Sequence, residues 1–334
     1  MHALAATIDS FNAAIGSDDR LALLKALAAV RDGRGTTGTY AYEHDMTALA
    51  VSVPGLPGLA EQLLAQGEGD GSLRFLYVTI VFNWYRRQHH PGRASATLGG
   101  VEAEFNDVPL FLHYRAMSMV DGSIGEMRRG LELAERAHKR LPDHAGIAHT
   151  CAVLIADLAS NDGFTNPRPE LERGLGLVNE AIEGYPNHAR FYHTRARLLR
   201  LLRDYDRARI DIVHAIDIED RDSSDIQDRL AAYYIERSMI DADRSIARLA
   251  KAAEESNNRL TEETHRLKIA LDASQIQAIE VIGFVAAILG LILATMGEIR
   301  NQSPLDALTV LAGVAILLFG VVFLGSWLLR RGIR

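Results

Sequence analysis

Apolar residues recur at three- and four-residue spacing over residues 21–30, 73–85, 126–141, 171–183 and 205–218, the period of a helix that turns one face to a core. No run alternates apolar and polar residues over a length that would make a strand. Pro54, Pro57, Pro91, Pro109, Pro142, Pro167, Pro169 and Pro186 fall between these segments, where a locked φ and a missing N–H start or stop helices. The pattern predicts an all-α soluble part built from short antiparallel helix pairs.

Two later stretches depart from this amphipathic pattern. Residues 281–297 carry no charge, and residues 307–329 form a second, longer uncharged run rich in Leu, Val, Ala and Gly. At about 1.5 Å of rise per residue, the first just spans a hydrocarbon core of about 30 Å and the second spans it comfortably. With 298–304 as a tight connection, residues 276–334 are expected to form a transmembrane helical hairpin with a short basic tail. Gly283, Ala287, Gly290 and Ala294 make a small-residue stripe on the first helix, and Gly313 and Gly320 continue that spacing on the second. Such stripes let helix backbones approach, within the hairpin or between protomers of a homo-oligomer.

Aligning Ala137, Ala181 and Ala215, each near the end of an amphipathic helix, exposes an internal period. Five residues later stand Pro142, Pro186 and Asp220, and seven residues earlier Gly130, Gly174 and Ala208. The segment from Ala189 to Asp222 adds Tyr192, Ala196 and Leu199 on a first helix and Asp204-Tyr205 at a turn. This resembles the tetratricopeptide repeat (TPR), whose second helix carries small residues at these offsets and closes on a proline. The copy before it, from Ala145 to His188, holds a ten-residue excess placed at 161–170. A third copy begins near Phe111 and a degenerate fourth near Ser223. Arg195 stands where the family prefers Leu, and Asp220 replaces the closing proline. The resemblance implies a TPR-like helical-repeat solenoid over residues 111–240. It is preceded by an N-terminal helical region, 1–110, of divergent repeats or a cap, and followed by a connecting helix, 241–275, and the two transmembrane helices. In 240–274, Ile246, Ala253, Leu260 and Leu267 recur every seven residues, but the interleaved series Leu249, Ser256, Glu263 and Ala270 is half polar. That favours a connecting helix over a two-stranded coiled coil.

HARFYHT (188–194) echoes HAGIAHT (144–150). His144 and His188 each close one copy, and His149 and His193 are each fifth in the next first helix, so the echo is repeat periodicity. Histidines five apart diverge by about 140° on a helix, whereas a metal needs three or four converging ligands. Neither a metal nor any other cofactor is expected. In the family, positions two, five, nine and twelve of the first helix line the concave groove. Here that set is Arg190, His193, Arg197 and Arg200, with His149 and Arg115 fifth in neighbouring copies and Tyr234 twelfth in the last. The resemblance thus implies a basic groove for an acidic peptide, carboxylate or phosphate group held by arginine forks. Salt bridges from these arginines to adjacent helices are the alternative.

Charge and the remaining motifs narrow the function. The net charge is −7. Residues after 275 hold Arg300, Arg330, Arg331 and Arg334 against Glu280, Glu298 and Asp306, so the rest is more acidic still and disfavours a nucleic-acid partner. The single Cys151 permits no intrachain disulfide and agrees with a reducing compartment. The opening MHALAATIDSFNAAIG has no basic leader and places Asp9 where a signal peptide needs hydrocarbon. GRGTTG (33–38) follows an amphipathic helix rather than a strand and reads as a loop. GEGDGS (67–72) lacks the spacing of a calcium loop and reads as a linker. No catalytic constellation has a local signature, so enzyme activity is disfavoured. The sequence reading is a two-pass protein of a bacterial inner (cytoplasmic) membrane with both termini cytoplasmic, a scaffold or receptor for a protein partner or acidic ligand. The alternative resembles some bacterial defence effectors: ligand sensing by the repeats drives the two-helix segments to oligomerise and disrupt the bilayer.

Overall fold

The computed structural model describes residues 40–219 and 225–299, with short helical stretches between 308 and 323. The predicted segment 21–30, GRGTTG and most of the second apolar run lie outside the described residues. Every regular element described is helical: α1 (Tyr40–Ser52), α2 (Leu56–Ala65), α3 (Gly71–Arg87), α4 (Pro91–Phe105), α5 (Pro109–Met117), α6 (Ile124–Arg140), α7 (Ala145–Ser160), α8 (Pro167–Gly184), α9 (Ala189–Leu201), α10 (Tyr205–Ile218) and α11 (Ile226–Ile299). The chain divides into two compact units, Met1–Arg248 and Leu249–Arg334.

Helix boundaries in the first unit follow from side-chain chemistry. Asp70 caps α3 by accepting from the Leu73 N–H, and Asp204 caps α10 by accepting from the Arg207 N–H. Ser123 and Glu126 form a reciprocal capping box at α6. Proline opens α4, α5 and α8, where its missing N–H has no helical acceptor to lose. Of the 67–72 stretch read as a linker, only 67–70 connects the helices, turning through left-handed Gly67 and Gly69, while Gly71 and Ser72 open α3.

Successive helices then pack as antiparallel pairs, α5 with α6, α7 with α8 and α9 with α10. The small residues of the sequence period lie at the closest approaches. Gly130, Gly174 and Ala208 are buried, as are Ala137, Ala181 and Ala215. A Cβ on Gly174 would lie 3.2 Å from both Ile155 Cγ2 and Leu198 Cδ2, so a side chain there would push α8 off its neighbours. Cys151 is buried within the core shared by α6 to α9. The structure is therefore an all-α, TPR-like array. Arg195, where the resemblance favours Leu, forms a two-pronged ion pair with Asp211 on α10, at 2.7 Å for each prong, and reaches Asn179 at 3.1 Å. The polar substitution is answered by a polar partner across the helix pair.

Two details differ from the sequence reading. The excess in the copy from Ala145 to His188 divides between a short connection after Ser160 and an extra turn at the start of α8. The degenerate fourth copy has a first helix but no second, because α11 runs from Ile226 to Ile299 without a turn. No proline interrupts that segment.

In the second unit the helix offers its apolar residues to the surroundings: Leu249, Leu260 and Leu267 are all exposed, as are Ile279, Ile282 and Leu293. An 18-residue window of this helix has mean hydropathy 2.4 and none of it is buried. That is one helix long and apolar enough to cross a membrane among the described residues. The bent pair α1–α2 also passes on composition, but Met46, Leu49, Val53, Leu56 and Leu63 bury that surface in a protein core. A Cβ added at Gly283, Gly290, Gly313 or Gly320 would meet nothing within 4 Å, and Ala287 and Ala294 on the same stripe show no buried face.

Candidate functional site

The echoed segments HAGIAHT and HARFYHT open α7 and α9, and Tyr40 at the start of α1 sits against both. Its ring is 5.8 Å from that of His144, 4.7 Å from Tyr185 and 5.8 Å from Phe191, and its hydroxyl is hydrogen-bonded to Nε2 of His188 at 2.6 Å. Glu43, almost one turn on, is buried between two imidazoles, with His113 Nε2 at 3.4 Å and His144 Nε2 at 3.8 Å. Gly146 makes this approach feasible. A Cβ there would lie 2.8 Å from the Tyr40 ring and 3.0 Å from Glu43 Oε2, so only glycine lets α1 seat against the first turn of α7.

Burial governs the electrostatics. It pushes Glu43 upward, but the imidazole of His113, with His144 and Arg86 behind it, outweighs burial and holds the carboxylate well below its usual range. Burial lowers His144 to about 4 against the pull of Glu43. It lowers His188 to about 3, reinforced by Arg190, and it drives His149 well down, reinforced by His188 and Arg190. These imidazoles are neutral at pH 7 and serve as hydrogen-bonding groups rather than charges.

Beside them lies a cavity of about 220 Å³ that brings together Arg86, Arg87, Arg190 and Arg229. Asp225 is shared by three of these, at 2.7 Å from Arg87, 3.4 Å from Arg190 and 2.9 Å from Arg229, and Arg229 also meets Glu219 at 2.9 Å. Arg86 has no ion pair among the described residues. Its Nη2 donates to Asn83 Oδ1 at 3.3 Å, and its Nε is buried without a hydrogen-bond partner. Burial, then the charges of Arg190 and Arg87, lower it to about 10. Four guanidiniums thus face three carboxylates, Glu43, Glu219 and Asp225, an excess of positive charge that favours an anion.

Of the groove residues read from the sequence, the structure brings His149 and Arg190 into this cavity. His149 Nε2 is 2.9 Å from Thr194 Oγ1 and its ring packs on Phe191. His193 instead packs on Tyr233, ring centroids 4.8 Å apart. Arg197 is tied to Asp157, and Arg200 to Glu236 at 2.6 Å and Asp243 at 3.0 Å, so their guanidiniums are engaged in inter-helix ion pairs. Arg115 pairs with Glu102 and lines a separate cleft. Tyr234 faces outward at 52% exposure, while its neighbour Tyr233 is buried and donates to Glu219 at 2.5 Å. No group of three metal-ligating side chains occurs among the described residues.

Sequence reasoning missed Tyr40, Glu43, Arg86, Arg87, His113 and Arg229. One signal was present: Arg86-Arg87 ends α3, and a helix C-terminus favours cations. His144 and His188 were visible as an echo but not as neighbours of Tyr40.

No family model matches the chain, and no curated protein matches it. Among solved structures it is similar to a thermophilic TPR protein of Thermus thermophilus, with 21% identity and a TM-score of 0.40 over 52% of this chain and 87% of that one. It is also similar to the TPR2AB domain of yeast Sti1 in complex with pHSP90, with 14% identity and a TM-score of 0.27 over 71% of this chain and 99% of that one.

Proposed function

We propose that this chain is a membrane-tethered receptor. Its helical repeats hold a compact acidic ligand, or the acidic group of a protein partner, at the concave face, and its C-terminal apolar helices fix it in a bilayer. The observation that carries this reading is the convergence of four arginines from three helices on one cavity, one of them without a carboxylate. Roughly 300–1,000 Å³ is usual for a drug-sized ligand, so about 220 Å³ suits a small ligand better than an extended peptide. The tether rests on the unburied apolar window of α11. Arg330, Arg331 and Arg334 outnumber Arg300 and its neighbour Glu298, and by the positive-inside bias both termini then face the cytoplasm of an inner membrane.

The experiment labels single cysteines at Ser303 and Gly332, with Cys151→Ala, using a membrane-impermeant maleimide on intact cells. Ser303→Cys should react and Gly332→Cys should not; equal labelling, or recovery of the chain in the soluble fraction, sinks the two-pass tether.

One observation favours a second reading, the ligand-driven effector. The glycine stripe on α11 meets no neighbour within 4 Å, which leaves it open to a second copy. Dye release from vesicles that requires a ligand and vanishes with Gly290→Leu would rank this reading first.

A further inference from the structure

We propose that the cavity is a binding site for a phosphoryl group on a compact molecule, held by the guanidiniums of Arg86 and Arg190 and by the imidazole edges around them. The inference rests on the receptor reading and names its ligand class.

The carboxylates at the cavity face partners of their own, although Glu43 Oε2 is buried without a hydrogen-bond partner. Glu43 faces His113 and His144, Glu219 accepts from Tyr233 and Arg229, and Asp225 is divided among three arginines. Arg190 touches Asp225 only at 3.4 Å and its side chain is 31% exposed, so its fork has donors to spare. Arg86 has a buried Nε with no partner and no carboxylate within salt-bridge distance among the described residues. The Nε of Arg87 is likewise buried without a partner. Unpartnered buried donors are uncommon in native proteins and call for an explanation. A bound oxyanion supplies one, because it accepts from several donors at once and relieves the repulsion among the arginines.

The donor geometry separates the oxyanion classes. Arg86 and Arg87 line the cavity from α3, Arg190 from α9 and Arg229 from α11, so its guanidiniums are supplied by three separate helices. A planar carboxylate presents two oxygens in one plane, whereas a terminal phosphoryl group presents three around a tetrahedron, a better match to forks from separate helices. Neutral imidazoles at His149 and His188 add polar contacts without a competing charge. The Tyr40 ring also lines the cavity and offers an aromatic surface to whatever carries the phosphate.

The test uses the full chain in detergent micelles at constant ionic strength, titrated by calorimetry with inorganic phosphate, AMP, succinate and an aspartate-rich peptide. Phosphate and AMP should bind saturably and raise the thermal midpoint, and succinate should not. Arg86→Met and Arg190→Gln should each weaken phosphate and AMP by at least about tenfold, the loss expected for one charge-assisted fork. Arg86→Met should also leave the unliganded midpoint equal or higher, since it removes a repelling charge. If that variant fails to fold, Arg190→Gln decides, its tip being partly exposed. Displacement of AMP by phosphatidate vesicles in wild type, but not in Arg190→Gln, would identify a lipid headgroup as the source of the phosphoryl group and support the proposal. No saturable phosphate or AMP binding, binding indifferent to both substitutions, or equal binding of succinate would overturn it. Arg190-dependent binding of succinate or the peptide alone would overturn the phosphoryl class while leaving the receptor reading intact. No Arg190-dependent binding of any probe would end both.

Discussion

Lowering the pH from 7 to 5 should destabilise the repeat domain through histidines that burial keeps neutral. His144 is lowered to about 4, and His188 and His193 to about 3, against about 6.5 in an unfolded chain. Between those limits the unfolded state takes up a proton that the folded state refuses. The stability contribution is therefore complete above about 6.5 and is lost as pH falls towards the folded values. At 1.36 kcal/mol per unit, pH 5 favours the unfolded chain by roughly 2 kcal/mol for each imidazole, or about 5–6 kcal/mol for the three. Glu43, held low, adds nothing in this window, since its own contribution is lost only below about 4.5. A loss of that size rivals the whole stability of an ordinary domain. The assay is urea unfolding of the full chain in detergent at pH 7, 6 and 5, followed by tryptophan fluorescence; Trp84 packs 4.9 Å from Tyr85 and reports the first unit. His193→Phe keeps an aromatic ring against Tyr233 and should remove less than about a third of the pH dependence, because burial lowers His149 as well. A midpoint constant from pH 7 to 5, or a slope untouched by His193→Phe, would refute the reasoning.

Other substitutions probe the packing. Asp211→Ala should cost about 2–4 kcal/mol by leaving Arg195 half-buried and unpaired, and the double change Arg195→Leu with Asp211→Leu should recover most of it; urea midpoints of both variants decide. Within α8, Gly174→Leu should destabilise by at least about 1–3 kcal/mol, since its Cβ meets Ile155 and Leu198. Gly176→Ala, with nothing within 4 Å, should stabilise by roughly 0.5–1 kcal/mol through helix propensity. Gly146→Ala should drive Tyr40 and Glu43 off α7 and raise amide exchange along α1, while unchanged exchange there would show that α1 tolerates the added methyl.

The repeat array was legible because its determinants are local and periodic. Small residues at fixed offsets mark the contacts of each pair, and prolines and caps mark its ends, so Gly130, Gly174 and Ala208 could be placed in the core from their spacing. The groove was only half legible. The register assigns a face to each residue of a first helix, but not what the rest of the chain sets against that face. Arg197 and Arg200 share a stripe with Arg190, yet acids on α7 and α11 take their guanidiniums. Tyr234 and Tyr233 differ by one residue, about 100° of helix rotation, and the start of α11 turned the second one inward.

The sequence by itself determined the helical class, the repeat period, the glycine contacts and the apolar character of residues 281–297, because each is set by neighbours within a turn or two of helix. Only the tertiary structure decided the cavity. Tyr40 meets His188 across 148 positions and Arg87 meets Asp225 across 138, and no local pattern encodes which of many surface arginines will be brought together by packing. Helix periodicity fixes directions within one element, whereas the charge cluster arises from the relative placement of α1, α3, α7, α9 and α11, which is set by the summed packing of the cores between them.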